Sequence, residues 1–235
     1  MTNAAATTEK RTTNQDLVII VIATFAVLAL FIPFQESITH FSRNKEQPVL
    51  LRTFAMALVQ FGVAGFGISL VMLLRRERFS QYGLVRWGAL ASIAFSVLAF
   101  VPNILFEFAA GRISGYLPFQ SVWMTREVLA APFPVPFAGM GLIAVAWGFF
   151  EGFNYVVICR KINRICPSRN RWLNWGALIC AFMCILIHGM VGFTAMGILE
   201  ALTVMIIIYG MLMAHEFTGN AWGCVFVFVF LWNAF

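Results

Sequence analysis

The chain has 235 residues, of which 61% are hydrophobic and only 11% charged, with a mean hydropathy of +0.85. A soluble domain carries about 25% charge, so these values exclude a water-soluble globular protein and describe one whose apolar surface faces lipid. The net charge of +6 would suit nucleic acid, but the basic residues sit in short segments between apolar runs, which is how topology determinants are distributed.

Residues 1–16 are polar and predict a flexible tail ahead of a single transmembrane domain spanning residues 17–235. The apolar run after Asp16 is too long for the core of a signal peptide, and no small-residue cleavage site follows it. It therefore reads as an anchor that stays. Seven spans are expected, at Leu17–Phe34, Thr53–Leu74, Trp87–Ala109, Phe137–Cys159, Trp172–Phe193, Ala195–Ala214 and Ala221–Phe235. The last has only 15 residues and suits a thin region or a partial dip. Pro102 and Asn103 interrupt the third run and predict a kink. The long connector at residues 111–136 carries Gly115, Pro118, Trp123 and alternating prolines from Pro132 to Pro136. It predicts an extended interfacial segment leading into the fourth span, read first as a connector lying at the lipid headgroups and alternatively as a lid or lateral gate. The fold class is an all-α polytopic bundle of about seven transmembrane helices.

Lysine and arginine set the orientation. With the amino terminus inside, Lys10, Arg11, Arg75, Arg76, Arg78, Arg86, Arg160, Lys161, Arg164, Arg169 and Arg171 lie inside. Arg43, Lys45, Arg52, Arg112 and Arg126 lie outside. This imbalance predicts an N-inside, C-outside orientation; the multi-pass chain is expected in the cytoplasmic membrane or an equivalent membrane in a eukaryote, with lipids as partners and no nucleic acid. The five cysteines are odd in number and fall in or beside helices, which argues against a disulfide framework.

Three acids lie within spans: Glu107, Glu151 and Glu200. Glu107 is near a span end and reads as interfacial. Glu151 interrupts a long apolar run, at a cost of about 2.5–3.5 kcal/mol on insertion scales. Such a group is usually paired, neutralised or turned to a polar cavity. At about 1.5 Å per helical residue, Glu151 lies roughly 12 Å deep, Glu200 roughly 21 Å and His188 roughly 24 Å from the inside face. His188 and Glu200 thus fall level on neighbouring helices. Asn154 and Tyr155 share the face of Glu151, and Cys180, Cys184 and His188 form a stripe one helical turn apart. Thiolate, imidazole and carboxylate are zinc-ligand types, yet cysteine is also an ordinary small apolar residue in a membrane core. His215 and Glu216, followed by Thr218-Gly219-Asn220, read as a helix end and a turn.

Three segments in order carry a resemblance: Trp147–Tyr155 (WGFFEGFNY), Ala181–Gly189 (AFMCILIHG) and Thr218–Gly223 (TGNAWG) with the apolar run after it. Together they resemble the CPBP family of intramembrane metalloproteases, which includes the CAAX prenyl endopeptidases. That family places Glu-Glu-x-x-x-Arg on one helix, Phe-x-x-x-His on the next, and a Thr-Gly-x-x-Trp-like turn before His-x-x-x-Asn. Glu151 and His188 match. Phe150 or Gly152 stands at the other glutamate, Tyr155 at the arginine if Glu151 is the second acid, Cys184 at the phenylalanine and Phe228 at the second histidine, and Asn233 lies one residue past the expected asparagine. The resemblance covers roughly residues 130–235. It implies a helical membrane bundle with Glu151 as the base and His188 as a metal ligand or oxyanion donor. It also implies Glu200 as a substitute ligand for a divalent metal such as zinc, and Asn154 and Asn233 as supporting groups. The substrate it implies is a membrane-associated peptide or prenylated protein. Two other readings stay open: an inactive scaffold of the same fold, and a small proton-coupled transporter using Glu151, Asn154, His188 and Glu200 as a relay.

Overall fold

The computed structural model describes residues 3–188 and 194–235, with side chains from residue 9 onward. Among these residues the chain is helical, with no strand. Helix α1 (Asn3–Phe31) passes through a tight turn at Ile32–Phe34 into α2 (Gln35–Arg43). Helices α3 (Val49–Phe61) and α4 (Gly67–Arg75) join through a π-helical stretch, Gly62–Phe66. Next come α5 (Ala89–Ala109) and the short α6 (Thr125–Ala130). Helices α7 (Val135–Ile143) and α8 (Glu151–Ile165) join through a second π stretch, Ala144–Phe150. The chain ends with α9 (Trp175–Ile187), α10 (Ala195–Thr218) and α11 (Trp222–Phe226), the last continuing as a third π stretch, Val227–Leu231.

Among the described residues, five continuous helices are long and apolar enough to cross a membrane: Glu9–Arg43, Val49–Arg75, Ala89–Ala109, Val135–Ile165 and Ala195–Thr218. The protein is therefore an integral membrane protein. Two further apolar helices are shorter, Trp175–Ile187 and Trp222–Leu231. The expected span Trp172–Phe193 begins late because Asn174 caps α9, its side chain accepting from the Ala177 amide at 2.8 Å. Residues 189–193 of that span lie outside the described residues. Helix α5 runs through Pro102 unbroken, and Asn103 donates across to Thr203 on α10 at 3.0 Å.

The stretch expected as a flexible tail is helical from Asn3, and Thr13 and Asp16 are buried. The cause is an ion network absent from any one-dimensional reading. Lys161 on α8 is fully buried, and its ammonium meets Asp16 at 2.8 Å and Glu77 at 3.1 and 3.2 Å. Arg75 at the end of α4 donates to the other Asp16 oxygen at 2.7 Å. Tyr82 donates to Glu77 at 2.6 Å. Burial and that bond push the Tyr82 phenol above its ordinary range, so it remains a donor. A boundary at residue 16 thus falls inside a helix held by its own polar residues.

This network gathers the start of α1 and the ends of α4 and α8 at one end of the bundle, here the basic end. The end of α10 joins them, where His215 contacts the Tyr82 carbonyl at 3.1 Å. Buried Asn220 donates to the carbonyls of Val85 and Trp87 at 2.6 and 2.7 Å. Gly219, at φ +65°, ends α10 in the left-handed turn expected there. Small residues let the helices close up: a Cβ on Gly176 would strike the backbone of Cys159.

The connector between α5 and α7 is not the extended interfacial strand its prolines suggest. It folds into α6 and a small core of its own, in which Phe119, Val122, Met124 and Val128 pack on Ile143. Buried Arg52 on α3 ties it down, paired with Glu127 and donating to the carbonyls of Gln47 at 3.0 Å and Ser42 at 3.2 Å. Apolar packing beneath it outweighs the extended preference of isolated X-Pro steps.

The buried network makes a stability prediction. Lys161→Ala leaves Glu77 without its cation and Asp16 with Arg75 alone, and should cost about 3–5 kcal/mol. Thermal unfolding of the detergent-purified variant is the check. Loss of well under 1 kcal/mol would show that the network is solvated.

Candidate functional site

The end of the bundle opposite the basic end holds a cavity of about 210 Å³. Four pieces of chain position its polar lining. Gln60 comes from the last turn of α3, Glu151 from the first residue of α8, His188 from the C-cap of α9, and Asn233 from just past the final π stretch. Ser121–Met124 of the connector close it from above, and Trp147 and Trp232 add apolar walls.

Glu151 is buried, in keeping with its position in an apolar run, and the two oxygens of its carboxylate differ. Gln60 Nε2 donates to Oε2 at 2.8 Å. Oε1 faces His188 Nε2 at 3.6 Å. That separation exceeds a hydrogen bond and is one at which a bridging water should be considered. His188 is itself one-third accessible and lies 5.7 Å, ring to ring, from Trp232. Across the cavity Ser121 Oγ donates to Asn233 Oδ1 at 2.6 Å, and the Ser121 amide donates to the Asn233 carbonyl at 3.2 Å. With Oδ1 engaged, the Asn233 Nδ2 protons remain available.

The local backbone explains how these groups converge. A π stretch admits one residue more than an α-helix and turns the residues after it onto a new face. Gln60 precedes one such stretch, Glu151 comes directly after another, and Trp232 and Asn233 come after the third. In that third stretch the Trp232 amide bonds the Val227 carbonyl, five residues back, at 2.8 Å. The extra residue in this stretch sets which side chain follows it, and Asn233 lines the cavity.

The structure thus brings Glu151, His188 and Asn233 together and separates two other expected residues. Asn154 is half-buried and lines neither this cavity nor its neighbour. Glu200 is not drawn to His188; it accepts from Arg112 at 3.0 Å, with Glu107 at 3.5 Å from the same guanidinium. Arg112 comes from the connector, whose folding onto the bundle no spacing within α10 could reveal. Glu200 and His188 do line one second cavity of about 380 Å³, which shares Ser121, His188, Trp232 and Asn233 with the first.

Among the described residues no three His, Cys, Asp or Glu side chains gather as a metal site would require. The pair His188 and Glu200 does not fit a zinc ion in this arrangement. Cys180 and Cys184 are buried free thiols in the apolar core. The chemistry these residues offer is that of a carboxylate, an imidazole and two carboxamides.

Sequence reasoning missed Gln60, Ser121 and the tryptophans. Gln60 had a signal: a carboxamide midway along an apolar run carries the same burial argument as Glu151. Ser121 had none, because its role depends on the connector folding inward. Tyr155 and Phe228, two of the positions where this sequence departs from the motifs it resembles, stack on each other with ring centres 5.5 Å apart at 25°.

Removing the Gln60 amide should unmake a part-buried bond and leave an oxygen of buried Glu151 without its donor. Gln60→Leu is expected to cost about 1.5–3 kcal/mol. Glu151→Gln should cost less, since its carboxamide oxygen still accepts from Gln60. Thermal unfolding of both variants in one detergent reads the order, and a costlier Glu151→Gln would contradict this pairing.

No family model, curated protein or solved structure matches this chain.

Proposed function

We propose that the protein is an intramembrane hydrolase of the CPBP type that cleaves a peptide bond in a membrane-associated substrate, such as a prenylated peptide. The observation that supports this most is the pairing of Glu151 and His188 beside one cavity. These are the two residues the resemblance selects, and they stand on different helices. Glu151 Oε1 takes a proton from a cavity water, and the resulting oxygen attacks the scissile carbonyl carbon. His188 and the Asn233 Nδ2 protons steady the negative charge on the carbonyl oxygen. The proton held by Glu151 then passes to the departing amine as the C–N bond breaks. Gln60 holds Oε2 and leaves Oε1 free for this exchange. The second cavity offers the route by which water and substrate reach the carboxylate.

A second reading is a non-catalytic scaffold of the same type. The Tyr155–Phe228 stack favours it, because aromatic rings fill the positions where the resemblance expects an arginine and a histidine.

The hydrolase reading carries seven crossings in the cytoplasmic membrane, with the amino terminus and the basic end inside. Helix α9 and the last helix then cross as short segments, about 20 Å and 15 Å long at 1.5 Å per residue. Most of the basic residues fall on the inside face in this orientation, and the ion network groups several of them at one end of the bundle.

Glu151→Gln should lower cleavage of a farnesylated peptide in proteoliposomes by at least about a hundredfold, with helicity unchanged and a smaller loss of thermal stability than Gln60→Leu. His188→Ala should fall in the same direction. Full activity in Glu151→Gln would remove the base assignment. A wild-type protein that cuts none of a panel of membrane-tethered peptides would leave the scaffold reading.

Orientation has its own reporter. Cys166, just past α8 near the basic end, is the exposed cysteine, and the other four are buried. A membrane-impermeant maleimide should label it in inside-out vesicles and not in right-side-out ones. The reverse pattern would invert the topology.

A further inference from the structure

At the basic end, between the ends of α8 and α10, lies a third cavity of about 410 Å³. Its lining is Arg160, Asn163, Arg164, His215, Glu216 and Gly219. We propose that this cavity binds the phosphate of an anionic membrane lipid.

The charge and partners of its lining support this. The Arg160 guanidinium bonds the Gln81 carbonyl and lies 5.7 Å above the Tyr82 ring, so it is held in place while keeping its charge. Arg164 is exposed and makes no hydrogen bond or ion pair among the described residues. Asn163 is committed to Asn174 and the Gly176 amide, and so shapes the wall without competing for the arginines. His215 Nε2 faces the Tyr82 carbonyl at 3.1 Å, which leaves Nδ1 as its other polar atom. Glu216 is the one acid in the lining and forms no ion pair with either arginine. Two guanidiniums against one carboxylate give the cavity a net positive charge. Arginine's planar donor fork matches a phosphate's paired oxygens.

The surroundings choose a lipid over a free ion. The cavity lies where apolar helices end, the level at which headgroups sit. Trp87 and Trp172 are 91% and 71% exposed near this end of the bundle. Trp172 packs on Phe217 at 4.9 Å, and Arg171 lies 4.9 Å over the same Phe217 ring. Exposed tryptophans beside arginines mark a membrane–water boundary, and basic pockets between helix ends at that boundary suit acidic headgroups. The site is remote from Glu151 and independent of the hydrolase reading.

Native mass spectrometry of the full-length protein in detergent tests this, with dioleoyl phosphatidylglycerol as the probe and dioleoyl phosphatidylcholine as the neutral control. One tightly retained phosphatidylglycerol is expected, with no matching phosphatidylcholine species. Arg164→Gln, which breaks no internal bond, should weaken retention by roughly fivefold, the scale of one basic residue at a lipid surface. Glu216→Gln should strengthen it by a comparable factor. Opposite shifts from two exposed substitutions cannot come from misfolding. Equal retention of both lipids, or no response in both variants, overturns the site. Displacement of the lipid by millimolar inorganic phosphate would show a free-phosphate site instead, and so overturn the lipid assignment.

Discussion

A fully buried ammonium dictates the geometry of one end of this bundle. Lys161 has no access to solvent, so its charge persists only if carboxylates are delivered to it from other segments. Asp16 arrives from α1 and Glu77 from just past α4, each within 3.2 Å. Arg75 takes up the remaining Asp16 oxygen, and Tyr82 donates to a Glu77 oxygen that Lys161 also meets. Three helices are thereby fixed in height as well as in plane. Apolar packing alone would not achieve this, because helices in lipid slide past one another at little cost when only alkyl groups touch.

With that end fixed, the other end is decided by helix length. A helix needs about 20 residues to cross the apolar core. Helix α9 stops at Ile187 and the last helix at Leu231, both well short of that. Their ends leave a recess that the full-length helices around them do not fill. Unpaired backbone groups and polar side chains at helix ends tolerate lipid poorly, so the recess must be roofed and lined with polar groups. The connector supplies the roof, held by Arg52 and Glu127, and His188, Asn233, Ser121 and Glu151 supply the lining. The cavity is thus a consequence of two short helices among longer ones.

The apolar runs were legible because hydropathy is a local property, and so were the helix end at Gly219 and the burial of Glu151. The helical tail was not: Asp16 reads as solvated until Lys161 is known to lie beside it. Glu200 looked level with His188 on a count of residues, yet Arg112 in the connector claims it. Depth along a helix is written in the sequence, whereas the partner at that depth depends on how distant segments fold. Gln60 shows the opposite kind of miss, since its polarity within an apolar run was visible and only its target was not.

The three π stretches connect the fold to the site. Each breaks the regular i→i−4 ladder, an irregularity that a stable helix would shed unless something offset it. Each also borders a polar residue of the first cavity: Gln60, Glu151 or Asn233. Close helix approach accompanies them, since a Cβ on Gly152 would meet the Cys224 carbonyl at 2.8 Å. Without the added residue in the last stretch, a different side chain would occupy the place of Asn233. The irregular turns therefore set how Glu151 and Asn233, which follow two of them, face Gln60 and His188 across the cavity.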